Sequence, residues 1–155
     1  AFQANNRSVT ALLIKGNYPP IKTMFPNELA NYTVVSKADL LESTRRVMLV
    51  VQRDNALKYT FGEGDIALES MGNETAQASE SISAELTGDE TVLALKPQYL
   101  IDGLAGVHTE FVKIGFTKNA DNPNKPSPVL ITSHGGKDKA DNYRYLLQPN
   151  LLVLR

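Results

Sequence analysis

"LLESTRRV" at residues 40–47 and "LIDGLAGV" at residues 100–107 decide how this chain folds. Leu40 answers Leu100, Leu41 answers Ile101, Glu42 answers Asp102 and Val47 answers Val107. An internal repeat comes before any other reading, because it governs every later assignment. The same order of elements surrounds both copies. A short apolar strand precedes each, "YTVVS" (32–36) for the first and "TVLALK" (91–96) for the second. Three strand-like runs follow the first copy: "LKYTF" (57–61), "IALES" (66–70) and "AQASESISAEL" (76–86). Three more follow the second: "FVKIGFT" (111–117), "PVLITS" (128–133) and "YRYLLQ" (143–148).

Ser36 is placed to cap a helix from Lys37 to Val51, with Asp39 in its first turn favouring the helix dipole. Leu40, Thr44, Val47, Met48 and Val51 share one face of that helix, bordered by Leu41. Asp39, Glu42 and Arg46 lie opposite, and Leu49 points to the wet side as an apolar outlier. Pro97 suits the first turn of the second helix, whose apolar face is Tyr99, Leu100, Leu104 and Val107, running to Gly106. "GEGD" (62–65) turns a hairpin with Leu57, Tyr59 and Phe61 on one side. In the long run, Ala76, Ala78, Ile82, Ala84 and Leu86 alternate inward, while Gln77, the serines and Glu85 face out. Two such β-α-β-β-β units with mostly antiparallel connections predict an α+β fold. Two sheets lie outside and two helices side by side on one face.

Composition removes several function classes. The 155 residues are 42% hydrophobic and 21% charged, a globular balance long enough for one full domain. There is no cysteine, hence no disulfide, thiolate metal site or cysteine nucleophile, and His108 and His134 are too few for a histidine metal centre. No run is long enough to cross a bilayer and no signal-peptide pattern opens the chain, so a cytoplasmic protein without a membrane partner is expected. A net charge of −1 exerts no global pull on nucleic acid.

Ahead of the repeat, "SVTALLI" (8–14) reads as a strand, and a single strand is not stable by itself. Together with a start in mid-pattern at Ala1, it suggests a piece of a longer polypeptide. Next comes "KGNYPPIKTMFP" (15–26), with three prolines around Ile21, Met24 and Phe25. Prolines fix φ and remove donors, so this stretch is neither helix interior nor central strand. It reads as a rigid connector that carries large apolar side chains.

Four stretches taken in order resemble the bacterial DNA polymerase III beta subunit, the sliding clamp family, over essentially the whole chain. They are "LIKGNYPPIKTMFP" (13–26), "SKADLLESTRRVMLVV" (36–51), "LKPQYLIDGLAGV" (95–107) and "YRYLLQP" (143–149). The resemblance implies a DNA-clamp fold. Residues 1–18 would be the end of the middle domain, 19–30 the interdomain connector and 31–155 the C-terminal domain. In full length, such a chain forms a head-to-tail homodimer ring around double-stranded DNA, which it grips weakly and without sequence preference. Its partners would be the DNA polymerase III alpha subunit, the clamp loader and other proteins with clamp-binding motifs, docking a short peptide in a greasy groove. By resemblance the groove uses Pro19, Thr23 and Met24 from the connector with Leu146, Gln148, Pro149 and Asn150 from the tail, and Tyr99 on its floor. Family tails end Met-Pro-x-Arg-Leu. Here Gln148 takes the methionine's place, Leu151 the arginine's, and Val153, Leu154 and Arg155 overrun the usual stop.

For the phosphate backbone the candidates are Lys37, Arg45 and Arg46 on the first helix and Lys96 before the second. Leu49, with Met48 beside it, fits the subunit seam, and Glu80 and Glu85 supply its acidic share. No enzyme is expected. "HGGKDKAD" (134–141) lacks phosphate-loop spacing, "DNPNKPSP" (121–128) is a polar loop, and nothing pairs His108, Asp65 or Asp102 into an acid/base site. No cofactor is implied, and polymerase activity would belong to the holoenzyme. A stand-alone peptide-binding regulatory module of the same fold, working without a ring, is the second reading. A third is an unrelated duplicated α+β enzyme.

Overall fold

The computed structural model describes residues 1–26, 29–51, 55–71, 76–116, 127–135 and 142–152. The first repeat runs β3 (Asn31–Ser36), α1 (Lys37–Val47), β4 (Leu57–Phe61), β5 (Asp65–Ser70) and β6 (Ser79–Thr87). The second runs β7 (Thr91–Leu95), α2 (Pro97–Ala105), β8 (Phe111–Phe116), β9 (Val129–His134) and β10 (Arg144–Leu147). A small hairpin of β1 (Phe2–Ala4) and β2 (Arg7–Val9) precedes them. Parts of "DNPNKPSP" (121–126) and "HGGKDKAD" (136–141), and the last residues 153–155, lie outside the described residues.

Ser36 does cap α1, its hydroxyl accepting from the Asp39 amide at 3.3 Å. The helix closes at Val47, however, and Met48–Val50 winds as a 3-10 turn before Val51 turns extended. The expected α-helix to Val51 is shortened because Val50 and Val51 are β-branched and lose rotamer freedom in a helix. Helix α2 starts with Pro97 in its first turn and is capped at Gly106 as read from sequence.

Strand pairing among the described residues of the main sheet is antiparallel throughout, in the order β10-β9-β8-β3-β6-β5-β4-β7. The first strand of each unit leaves its own unit and completes the other's meander. Thus β3 lies beside β8 and β7 beside β4. Instead of two separate sheets, two four-stranded sets are joined edge to edge through β3 and β6, from Tyr32↔Thr87 to Val35↔Ala84. The matching join between β7 and the tail shrinks to one bridge, where the Asn150 amide donates to the Ala94 carbonyl at 2.8 Å. Pro149, with no N–H to give, precludes a longer ladder there.

Both helices pack on this sheet and touch each other, and the Lys37 ammonium reaches the Val107 carbonyl at 2.9 Å. Between helices and strands sit Leu40, Val47, Leu57, Tyr59, Phe61, Leu100, Leu104 and Ile114, all fully buried. The alternation read over 57–61 is seen directly, with Leu57, Tyr59 and Phe61 turned inward. Phe61 and Phe116 meet as tilted rings 4.7 Å apart. Tyr99 departs from its expected place on the core face. It is 49% exposed, and Gly103 and Pro97 fill the buried side of α2 with Leu100 and Leu104.

The front segment also differs from its reading. The strand is Arg7–Val9, paired with Phe2–Ala4, and Leu12, Leu13 and Ile14 lie beyond it, exposed. The long strand begins at Ser79 and not at Ala76.

Candidate functional site

The proline segment folds into a 3-10 turn over Ile21–Met24. Pro19 and Pro20 shape it, since their carbonyls accept from the amides of Ile21 (2.8 Å) and Thr23 (3.1 Å). The Thr23 hydroxyl donates to the Pro20 carbonyl as well, at 2.8 Å. That spends the Thr23 side chain on holding the turn and leaves Met24 half exposed beside it.

Two anchors tie the chain leaving this turn to the sheet. Arg144 on β10 donates from Nη2 to the Pro26 carbonyl at 2.5 Å, and its guanidinium lies 5.0 Å from the Phe25 ring centre. Leu29 rests over β8 at Gly115, where an added Cβ would come within 1.9 Å of the Leu29 side chain. The backbone of β10 sends Arg144 and Leu146 to one face and Tyr145 and Leu147 to the other. Leu146 therefore shares a face with the residue that holds the connector. Leu147 is buried, Tyr145 packs where α2 presents Gly103, and the Tyr143 hydroxyl donates to the Gly103 carbonyl at 2.7 Å. Burial pushes the Tyr145 phenol up, with a smaller push from the Asp102 carboxylate. In the tail Pro149 is buried, while Gln148 and Asn150 are exposed.

The structure thus joins the proline segment to β10 through Arg144. Sequence reading missed that residue. Its signal was faint: a cation in a strand, alternating with Tyr143 and Tyr145.

The basic candidates are mostly engaged. Lys37 bonds the Val107 carbonyl just past the end of α2, and Lys96 stands 5.7 Å from the Tyr99 ring. Arg46 reaches Glu80 with two arms, adds Ser43 at 3.0 Å, and lies 3.6 Å from Glu42. Arg45 is exposed and makes no ion pair among the described residues.

Of the seam candidates, Leu49 is 82% exposed in the 3-10 turn after α1 and Met48 packs against the core. Glu80 and Glu85 lie on opposite faces, because odd and even positions of β6 face opposite ways. Glu80 meets α1. Glu85 lines a cleft of about 450 Å³ with Asp39, Phe111 and His134. No cluster able to hold a metal ion occurs among the described residues. No helix among them is long and apolar enough to cross a membrane.

A family model described as "DNA polymerase III beta subunit, C-terminal domain" matches residues 22–138. The chain belongs to that family. It is 32% identical over 150 residues to the beta sliding clamp of Streptomyces coelicolor, covering 96% of this chain and 38% of the relative. Its fold is that of the DNA polymerase III beta subunit of Thermotoga maritima, with a TM-score of 0.74 at 23% identity, over 88% of this chain and 35% of that one. The Pseudomonas aeruginosa sliding clamp bound to griselimycin has a TM-score of 0.73 at 20% identity, again covering 88% of this chain and 35% of that one. The chain thus spans under two fifths of the length of these clamps.

Proposed function

We propose that this chain is part of a sliding clamp, a processivity factor without catalytic activity of its own that works in the cytoplasm. Residues 31–155 are its C-terminal domain, 19–30 the interdomain connector and 1–18 the end of the middle domain. In full length the chain closes as a homodimer ring around duplex DNA and tethers the DNA polymerase III alpha subunit, the clamp loader and other proteins with clamp-binding motifs. A closed ring makes re-encounter with the primer end intramolecular, so it raises effective concentration without new chemistry.

One observation carries the reading. Two equivalent helices, α1 and α2, lie against each other on one side of a sheet built from both repeats. Such a surface suits a rod-shaped partner better than a small substrate. The exposed sides of the helices carry Asp39, Glu42, Asp102, Arg45 and Arg46, a mixed balance that favours loose phosphate contact over tight binding. Leu49 lies at the subunit seam.

The docking groove lies where the connector crosses β10, with Pro19, Thr23 and Met24 on one wall, Leu146, Gln148, Pro149 and Asn150 on the other, and Tyr99 at its floor. Support comes from Met24 and Tyr99, both exposed, and from the short turn that holds Met24 without an ordering cost on binding. The test is affinity of the full-length protein for a clamp-binding peptide. Met24→Asp and Leu146→Asp should each weaken it about tenfold or more, the scale of a buried apolar anchor. Unchanged affinity in both removes the groove.

A further inference from the structure

We propose that Arg144 is a positioning residue for that groove: it clamps the connector onto β10 and so sets Met24 at a fixed distance from Leu146. The role rests on the proposed groove between connector and tail. Arg144 is exposed at its outer side, yet its head is committed to two neighbouring residues 118 and 119 positions earlier in the chain. One contact is the bond to the Pro26 carbonyl, and the other is the Phe25 ring beneath the guanidinium. A planar fork can do both at once, donating in its plane while stacking on its face. Leu146 comes two residues later, on the same face of β10, roughly 7 Å away along the strand. Pro20 and Thr23 hold the near end of the 3-10 turn, and Arg144 holds its exit. Met24 lies between these two fixed points. A cation at position 144 therefore acts on the peptide through the connector, without touching the peptide itself.

Loss of the clamp lets the connector sample positions that do not bind, and apparent affinity falls with the competent fraction. The experiment uses the full-length protein, a fluorescent synthetic peptide carrying the alpha subunit's clamp-binding motif, and hydrogen exchange at the Ile21 and Thr23 amides. Arg144→Met should weaken binding by roughly three- to tenfold, with faster exchange at both amides and an unchanged melting temperature. Arg144→Lys should recover only part of the affinity, because an ammonium can bond the Pro26 carbonyl but has no plane to lay on Phe25. Because Phe25 acts through the same contact, Phe25→Leu with Arg144→Met should cost little more than either alone. Full additivity, or weaker binding with undisturbed amides, overturns the role, since Arg144 would then touch the peptide directly. Wild-type binding matched by Arg144→Met overturns this role alone. A wild-type protein that fails to bind the peptide overturns the groove and the role together.

Discussion

Arg46 on α1 and Glu80 on β6 form a two-armed ion pair, Nε to Oε1 and Nη2 to Oε2, both at 2.7 Å. The pair joins a residue read from sequence as facing DNA to one read as part of the seam. Each neutralises the other, and Ser43, buried one turn earlier on α1, steadies the guanidinium. The hydrogen bonds from Arg46 hold the Glu80 carboxyl below the usual carboxylate range, with a further contribution from Ser43.

Acid should loosen this ion pair. A carboxyl whose folded pKa is depressed adds stability above its unfolded value, near 4.3, and loses it as pH falls through the folded value. Wild-type protein should therefore melt above Glu80→Gln at neutral pH, with the two midpoints converging as the pH falls below that unfolded value. Thermal melts across that range check it, and parallel curves would refute the pair's contribution.

Arg45 and Arg46 should differ on DNA. Removing one cation from a phosphate lowers the slope of log affinity against log salt by about 0.9. Arg45→Ala in the full-length ring should flatten the slope by about that amount. Arg46→Ala should change it less, because its charge is already matched by Glu80. Anisotropy titrations on duplex DNA at several salt concentrations measure both, and equal effects would contradict the assignment.

Inside the core, the hydroxyls of Thr44 and Tyr59 meet at 3.2 Å, and burial pushes the Tyr59 phenol up. Thr44→Val strands the phenol without a partner, which should cost about 1–3 kcal/mol. Tyr59→Phe should cost less, since a helical threonine can bond back to its own preceding turn. The double variant should regain part of the Thr44→Val loss. Urea unfolding supplies the numbers, and strictly additive losses would mean that the two hydroxyls do not support each other.

Gly103 lets Tyr145 lie against α2. A Cβ there would stand 2.6 Å from the Tyr145 Cδ1. Alanine gains about 1 kcal/mol of helix propensity, while overpacking costs about 1–3 kcal/mol. The clash should win, so Gly103→Ala is expected to lower stability in denaturant melts by about 1 kcal/mol. A stabilised variant would mean that the ring moves aside freely.

Much of the fold could be read from the order of residues. The offset between Leu40 and Leu100 exposed the duplication, and Leu57, Tyr59 and Phe61 turned inward as their alternation required. Less of the site was readable. Helical spacing puts Tyr99 on the core face, yet its ring is half exposed, as a place on the groove floor needs. Glu80 and Glu85 stand together as the acidic share of a seam by resemblance, and strand parity sends them to opposite faces.

Local order by itself determined the repeat, the element sequence, the Ser36 cap and the inward faces, because periods of 3.6 and 2 act between near neighbours. Tertiary structure alone decided that β3 completes the second meander and β7 the first, that Arg46 meets Glu80, and that Arg144 grips Pro26. Those partners are far apart along the chain. A pattern states that a side chain points outward, and only the assembled sheet states what it finds there.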